Sequence, residues 1–209
     1  MDNKCEAIIF DLGKVVFDLS FDRVFHFWAS HTGGQFSDIK GKFQFDRLFD
    51  EFEKGTISAN QFRNEVSNRL GLTLTDEAFD KGWCDLYLDT YNNIDNLLAN
   101  LKQNYRIVAL TNTNIIHEST WRIKYKDTLG HFEKLFCSHE LMTRKPERRV
   151  YQIVLDYLDM NPQQTIFLDD NVDNIKGASE LGIPTILVTS QQQMRDELKT
   201  KGLIDINMD

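Results

Sequence analysis

Five short apolar runs, spread along the chain, limit what this sequence can fold into. They are EAIIF at 6–10, YRIVAL at 105–110, KLFCS at 134–138, QTIFL at 164–168 and PTILV at 184–188. The apolar residues run on rather than alternate with polar ones. Most are β-branched or aromatic, and polar or turn residues bound each run. That pattern belongs to strands buried on both faces, as in a parallel sheet. Helical periodicity lies between them. Ile94, Leu97, Leu98 and Leu101 share one face of a helix over 94–101. Pro146 suits the first turn of a helix whose stripe is Val150, Ile153, Val154, Tyr157 and Leu158. Gly182, after Leu181, reads as a helix end. Strand alternating with helix predicts an α/β fold: a doubly wound, Rossmann-like parallel sheet of about five strands.

Residues 17–89 break the alternation. Eleven of the 15 Phe fall there, whereas all six Tyr come after residue 86. No strand-like run is evident. Phe45, Leu48, Phe49 and Phe52 follow i, i+3, i+4, i+7 spacing. Ser58 and Gln61 form a capping box ahead of Phe62, Val66 and Leu70, with Gly71 closing that helix. Phe79, Trp83 and Leu86 mark another helix. The division predicted is a core of residues 1–16 and 90–209 and an all-helical insertion at 17–89. Most of its rings form the core of a small bundle, and a minority line a pocket.

The net charge of −8 disfavours nucleic acid, because phosphate backbones are held by clustered Lys and Arg. Cys5, Cys84 and Cys137 are far apart and form no CxxC pair, which argues against a cysteine zinc site. Reduced thiols and a cytoplasmic location are expected. Residues 1–6 lack the apolar region of a signal peptide, and no 18-residue apolar stretch exists to span a membrane. Nothing in the sequence sets an oligomeric state.

In open α/β sheets, ligands bind beyond the carboxyl ends of the strands. Asp11-Leu12-Gly13-Lys14 follows the first run, and Thr111-Asn112-Thr113-Asn114 the second. Arg144-Lys145-Pro146-Glu147 lies a few residues past the third, and Asp169-Asp170-Asn171-Val172-Asp173-Asn174 follows the fourth. Each has an ordinary reading: a strand-end Asp is commonly a turn or cap residue. The adjacent acids Asp169 and Asp170 are harder to explain that way. They repel each other, and a bound cation relieves the repulsion. Carboxylates, a hydroxyl, an amide and a lysine gathered at one sheet edge suit magnesium and phosphate.

With IIFDLGKVV, VALTNTN, RKPE and FLDDNVDN in this order, the chain resembles the haloacid dehalogenase-like hydrolase superfamily over essentially its full length. The segment 17–89 resembles that family's C1-type cap. Several segments, FEKGTISANQF among them, most resemble bacterial alpha-D-glucose-1-phosphate phosphatases. The resemblance implies a Mg2+-dependent phosphatase of small phosphorylated molecules. Asp11 would be the nucleophile that forms an aspartyl phosphate. Asp11, the Gly13 carbonyl and Asp170 would ligate the metal, with Asp169 completing the shell directly or through water. Asp173 and Asn174 would orient it. Thr111 and the backbone of Asn112 would hold phosphoryl oxygens, and Lys145 would neutralise the phosphate and pair with Asp11.

The departure from the family pattern is Gly13. Most phosphatases of the superfamily carry there a second Asp, which protonates the leaving group and then activates water. Glycine can do neither. An anomeric sugar hydroxyl, being more acidic than an ordinary alcohol, needs less proton donation, so Gly13 fits a sugar 1-phosphate. Two histidines are candidates for the cavity, as proton relay or hydroxyl ligand. His117 follows a strand-end loop and is favoured, while His26 reads equally well as a surface residue. Two alternatives stay open: a metal-free haloacid dehalogenase using Asp11, and a catalytically impaired phosphate-binding protein. The acid pair opposes the first; intact Asp11, Lys145 and Asp170 oppose the second.

Overall fold

A computed structural model describes residues 4–205, so Met1–Asn3 of the segment read for a leader lie outside the described residues. Each apolar run forms a strand: β1 (Ala7–Phe10), β4 (Arg106–Thr111), β5 (Lys134–Cys137), β6 (Thr165–Asp169) and β7 (Thr185–Leu187). They make one five-stranded sheet in the order β5-β4-β1-β6-β7. All of its pairings are parallel. Ile8 sits beside Ile107 of β4 and Ile166 of β6. The Asp11 amide donates to the Leu168 carbonyl at 2.8 Å. The ends of β1, β4 and β6 therefore bring Asp11, Thr111 and Asp169 to one edge.

Alternate residues of each strand face opposite layers. Ala7, Ile9, Val108, Leu110 and Phe167 pack against Val150, Tyr151, Val154, Leu155 and Leu158 of the helix Arg148–Leu158. Tyr157, expected in that stripe, is exposed. Ile8, Phe10, Ile107, Ala109, Ile166 and Leu168 face the other layer, which holds Leu97, Leu98 and Leu101. The rings of Trp28, Phe52, Phe62 and Trp83 belong to this same apolar cluster. Among the described residues, apolar packing is thus continuous from the insertion to this face of the sheet.

Within it run the helices Phe21–Thr32, Phe36–Lys42, Arg47–Glu53, Ala59–Leu70 and Asp76–Trp83. Ser58 and Gln61 form the capping box and Gly71 ends that helix in the left-handed region, as their spacing predicts. Trp28 stacks on Trp83 with ring centroids 5.7 Å apart. The segment is not wholly helical, however. β2 (Phe17–Leu19) and β3 (Tyr87–Thr90) pair as an antiparallel ribbon where the insertion leaves and rejoins the sheet domain. Two strands so short, each carrying an Asp, have no periodicity to reveal them. Pro146 also lies before its helix, not in the first turn: Glu147 is the cap, and the Lys145–Pro146 bond is cis.

Gly177, inside the helix Val172–Glu180, touches the backbone that carries Lys145. A Cβ there would meet the Pro146 carbonyl oxygen at 2.6 Å. Helix propensity alone favours Gly177→Ala by about 1 kcal/mol. We expect the opposite sign, a lower urea midpoint, because the neighbour is backbone and cannot yield. A raised midpoint would show that the helix shifts freely.

Candidate active site

The centre of the carboxyl edge is a buried ammonium group. Lys145 is 1% exposed, and its Nζ lies 2.7 Å from Asp11 Oδ1 and 2.7 Å from Asp169 Oδ2. Three elements converge to hold it. Asn112, just past β4, grips the Lys145 main chain from both sides: its Oδ1 accepts from the Lys145 amide at 2.9 Å and its Nδ2 donates to the Lys145 carbonyl at 3.0 Å. Asp169, at the end of β6, is itself fixed. Its carboxylate accepts from the Asn171 amide at 2.8 Å and from Asn174 Nδ2 at 3.1 and 3.0 Å. Asn174 thus orients the acid as expected, whereas Asp173 is exposed in the first helical turn. Asp169, expected to reach a metal directly or through water, also accepts hydrogen bonds from Lys145, Asn171 and Asn174.

Burial penalises charge here, and the site answers with paired charges. Burial lowers the ammonium of Lys145, but Asp11 and Asp169 outweigh it and hold the group above its ordinary value. Burial pushes the Asp11 carboxyl up to about 7, with Lys145 opposing and the charge of Asp169 adding to the rise. Asp170 is raised for the same reasons, burial first and Asp169 second. Oxygens of Asp11, Asp169 and Asp170 lie within 4.8 Å of one another. Three carboxylates so close, with one ammonium between two of them, leave negative charge uncompensated. This hard-oxygen set fits a small divalent cation.

These groups floor a cavity of about 370 Å³. Asp11, Gly13, Thr111, Asn112, Lys145 and Asp170 line its base, so the residues named from the sequence do converge. Phe21, Phe45, Phe49 and Glu53 of the insertion line the roof. Leu19 of the ribbon fills the space beside Gly13: a Cβ on Gly13 would meet Leu19 Cδ1 at 2.7 Å.

The two histidines part company. His26 is exposed and stacks on Phe36, away from the cavity. His117 does line the cavity, but both ring nitrogens are occupied. Nε2 donates to the Trp83 carbonyl at 3.0 Å, and Nδ1 accepts from Asn114 Nδ2 at 3.1 Å. Burial keeps the ring neutral, with its pKa pushed down to about 3. The expected role as a proton relay therefore does not hold for this arrangement: the imidazole is a wall.

The sequence pattern assigns no role to Glu53 or Arg144. Glu53 ends the helix Arg47–Glu53, four residues after Phe49, on that helix's apolar face. A charged residue at a core position was the available signal. Glu53 is 7% exposed, and burial pushes its carboxyl up to about 8 despite the nearby Lys145 charge. Arg144 Nη2 stands 3.0 Å from Glu53 Oε2, off hydrogen-bond alignment, and Oε2 has no hydrogen-bond partner. The Arg144 guanidinium also pairs with Asp50.

The fold and this edge define a hydrolase of the haloacid dehalogenase class. The profile described as haloacid dehalogenase-like hydrolase matches residues 45–188, and the chain belongs to that family. It is similar to a D-ribitol-5-phosphate phosphatase of Bacteroides thetaiotaomicron, 26% identical over 200 residues, covering 91% of this chain and 95% of the relative. A sesquiterpene phosphatase of Aspergillus oryzae is 26% identical over 198 residues, covering 93% and 95%. The crystal structure of a family enzyme of Bacteroides thetaiotaomicron, in complex with magnesium and inorganic phosphate, superposes with a TM-score of 0.77 at 30% identity, covering 90% of this chain and 96% of that one. No helix among the described residues is long and apolar enough to cross a membrane.

Two outcomes follow from this geometry. Asn112→Ala deletes both side-chain bonds to the Lys145 main chain. Turnover should drop at least tenfold while circular dichroism stays unchanged; full activity would mean that Lys145 is held without Asn112. Glu53 keeps its proton between pH 4.5 and 8 in the folded chain and loses it in the unfolded one. The native state then binds more protons, so its stability falls as pH rises through that window. Glu53→Gln removes the effect. Its urea midpoint relative to wild type should climb from pH 5 to pH 9, and a flat difference would refute the assignment.

Proposed function

We propose that this hydrolase is a magnesium-dependent phosphatase of small phosphorylated metabolites, working through an aspartyl phosphate. The observation that carries the reading is the Asp11–Lys145–Asp169 chain beside Asp170, at the floor of a half-open cavity. In this reading residues 17–89 cap a core of 1–16 and 90–209. Mg2+ would be held by Asp11, Asp170 and the Gly13 carbonyl, with Asp169 supporting the set. Bound there, it supplies positive charge to phosphoryl oxygens.

The chain's own residues do the rest. Lys145 neutralises the phosphate and keeps Asp11 aimed at phosphorus. Thr111 and the Asn112 amide hold phosphoryl oxygens. Asp11 attacks in line, the alcohol leaves, and water then hydrolyses the acyl phosphate. A haloacid dehalogenase needs no metal, whereas a cation held by the third carboxylate, together with Lys145, would mask a phosphate dianion, so phosphate is the better fit.

Sugar and polyol phosphates lead as substrates. The cavity suits a small molecule, and a ribitol-phosphate phosphatase is among the relatives. Alpha-D-glucose 1-phosphate and ribitol 5-phosphate are the first two to try. The cysteines are free thiols, which suits a cytoplasmic location.

A panel of phosphate esters, assayed with magnesium and with EDTA, tests the reading. Asp11→Asn should bring turnover below a hundredth of wild type; a tenth or more would exclude Asp11 as nucleophile. Asp170→Ala should raise the magnesium needed for half-maximal rate at least tenfold, whereas Asp173→Ala should leave it nearly unchanged. Identical metal titrations for the two variants would overturn the ligand assignment.

A further inference from the structure

Ribitol 5-phosphate and other primary-alcohol esters expel a strongly basic alkoxide. That step calls for a proton, and Gly13 has none to give. In-line attack by Asp11 sets the leaving oxygen on the far side of phosphorus, towards the cap. The group there must be titratable, sheltered from water and open to the cavity. His117 fails, because both ring nitrogens are bonded. Tyr87 holds its proton too tightly, since burial raises its pKa well above the ordinary phenol value. Arg144 has no proton to lose near neutral pH. Glu53 fits best: it lines the cavity from the cap side, is 7% exposed, and its buried Oε2, beside Arg144 Nη2 at 3.0 Å, makes no hydrogen bond.

We propose that Glu53 is the general acid–base residue of this enzyme, supplied by the cap in place of the side chain absent at Gly13. The inference rests on the phosphatase reading. In the first step the Asp11 oxygen bonds to phosphorus as the phosphorus–oxygen bond to the alcohol breaks. That electron pair stays on the leaving oxygen and takes the Glu53 proton, giving the alcohol and a Glu53 carboxylate. In the second step water bonds to phosphorus and loses a proton to Glu53. The acyl phosphate bond breaks, its electron pair returns to Asp11, and phosphate departs.

The charges around Glu53 suit both states. Lys145 and Asp11 face it from the sheet edge, and Arg144, shared with Asp50, flanks it. A dianionic phosphate repels a carboxylate and so favours the protonated acid. Once the proton has gone, Arg144 at 3.0 Å stabilises the carboxylate. Burial already favours the protonated form, with a pKa near the working range of an acid–base group.

The test compares Glu53→Gln, Glu53→Asp and wild type on two esters, 4-nitrophenyl phosphate and ribitol 5-phosphate. 4-Nitrophenolate leaves without help. With it, Glu53→Gln should still release a rapid burst of nitrophenol equal to the enzyme present, followed by slow turnover as the aspartyl phosphate accumulates. With ribitol 5-phosphate, kcat should fall about 10²- to 10⁴-fold and no burst of ribitol should appear. Glu53→Asp keeps a carboxyl and should recover at least tenfold of that loss. Equal losses in the first step on both esters, or a raised KM with kcat unchanged, would overturn the proposal and make Glu53 a binding group. Wild type inactive on every ester would instead sink the phosphatase reading. Thermal melts of each variant separate misfolding from lost chemistry. A melted Glu53→Gln leaves the decision to Glu53→Asp, which must then shift the alkaline limb of the rate–pH profile; an unmoved limb counts against the proposal.

Discussion

The buried ammonium of Lys145 is the interaction on which the rest depends. A lysine 1% exposed is tolerable only when its charge is matched, and Asp11 and Asp169 match it from two different strands. Removing one partner of such a cluster typically costs about 3–5 kcal/mol, because it strands a buried charge. The fold therefore cannot close without setting Asp11 beside a cation. In the proposed reaction, stability and catalytic geometry share the same contacts.

That sharing explains the surrounding amides. Asn112 grips the main chain of Lys145, and Asn174 grips the carboxylate of Asp169. Neither needs to touch substrate in order to matter. Hydrogen bonds that lock a buried charged group leave it little freedom, so the ammonium and the Asp11 carboxylate keep their separation. Asn112 in fact faces two ways. Its amide N–H is the expected contact for a phosphoryl oxygen, while its side chain works on the lysine behind.

Much of this is legible in the sequence. Unbroken apolar runs specify a parallel sheet, and each run became a strand within a residue or so of its expected limits. The residues that follow a buried strand must lie at the sheet edge, so Asp11, Thr111, Lys145 and Asp170 could be placed together. What stayed hidden depends on contacts distant in sequence. The β2–β3 ribbon is too short and too polar to show a period. Whether His117 is a relay or a wall is decided by the carbonyl of Trp83, 34 residues away. Glu53 escaped because its partners, Arg144 and Lys145, lie more than 90 positions along the chain. Only the anomaly of an acid on an apolar face pointed to it.

Gly13 is best understood through its neighbour. The ribbon places Leu19 where a side chain at position 13 would begin, with Cδ1 2.7 Å from the first added carbon. The backbone is not the obstacle, since Gly13 does not adopt a positive φ. Leu19 would have to rotate away, and it too lines the cavity. The apolar roof and an acid at position 13 thus compete for one volume. Placing the acid on the cap resolves the competition, because the helix that ends in Glu53 also carries Phe49. A single element then presents both an apolar wall and a proton to whatever alcohol the phosphate carries. In the proposed mechanism, access of the leaving group to its proton becomes a property of how the inserted helices sit on the sheet.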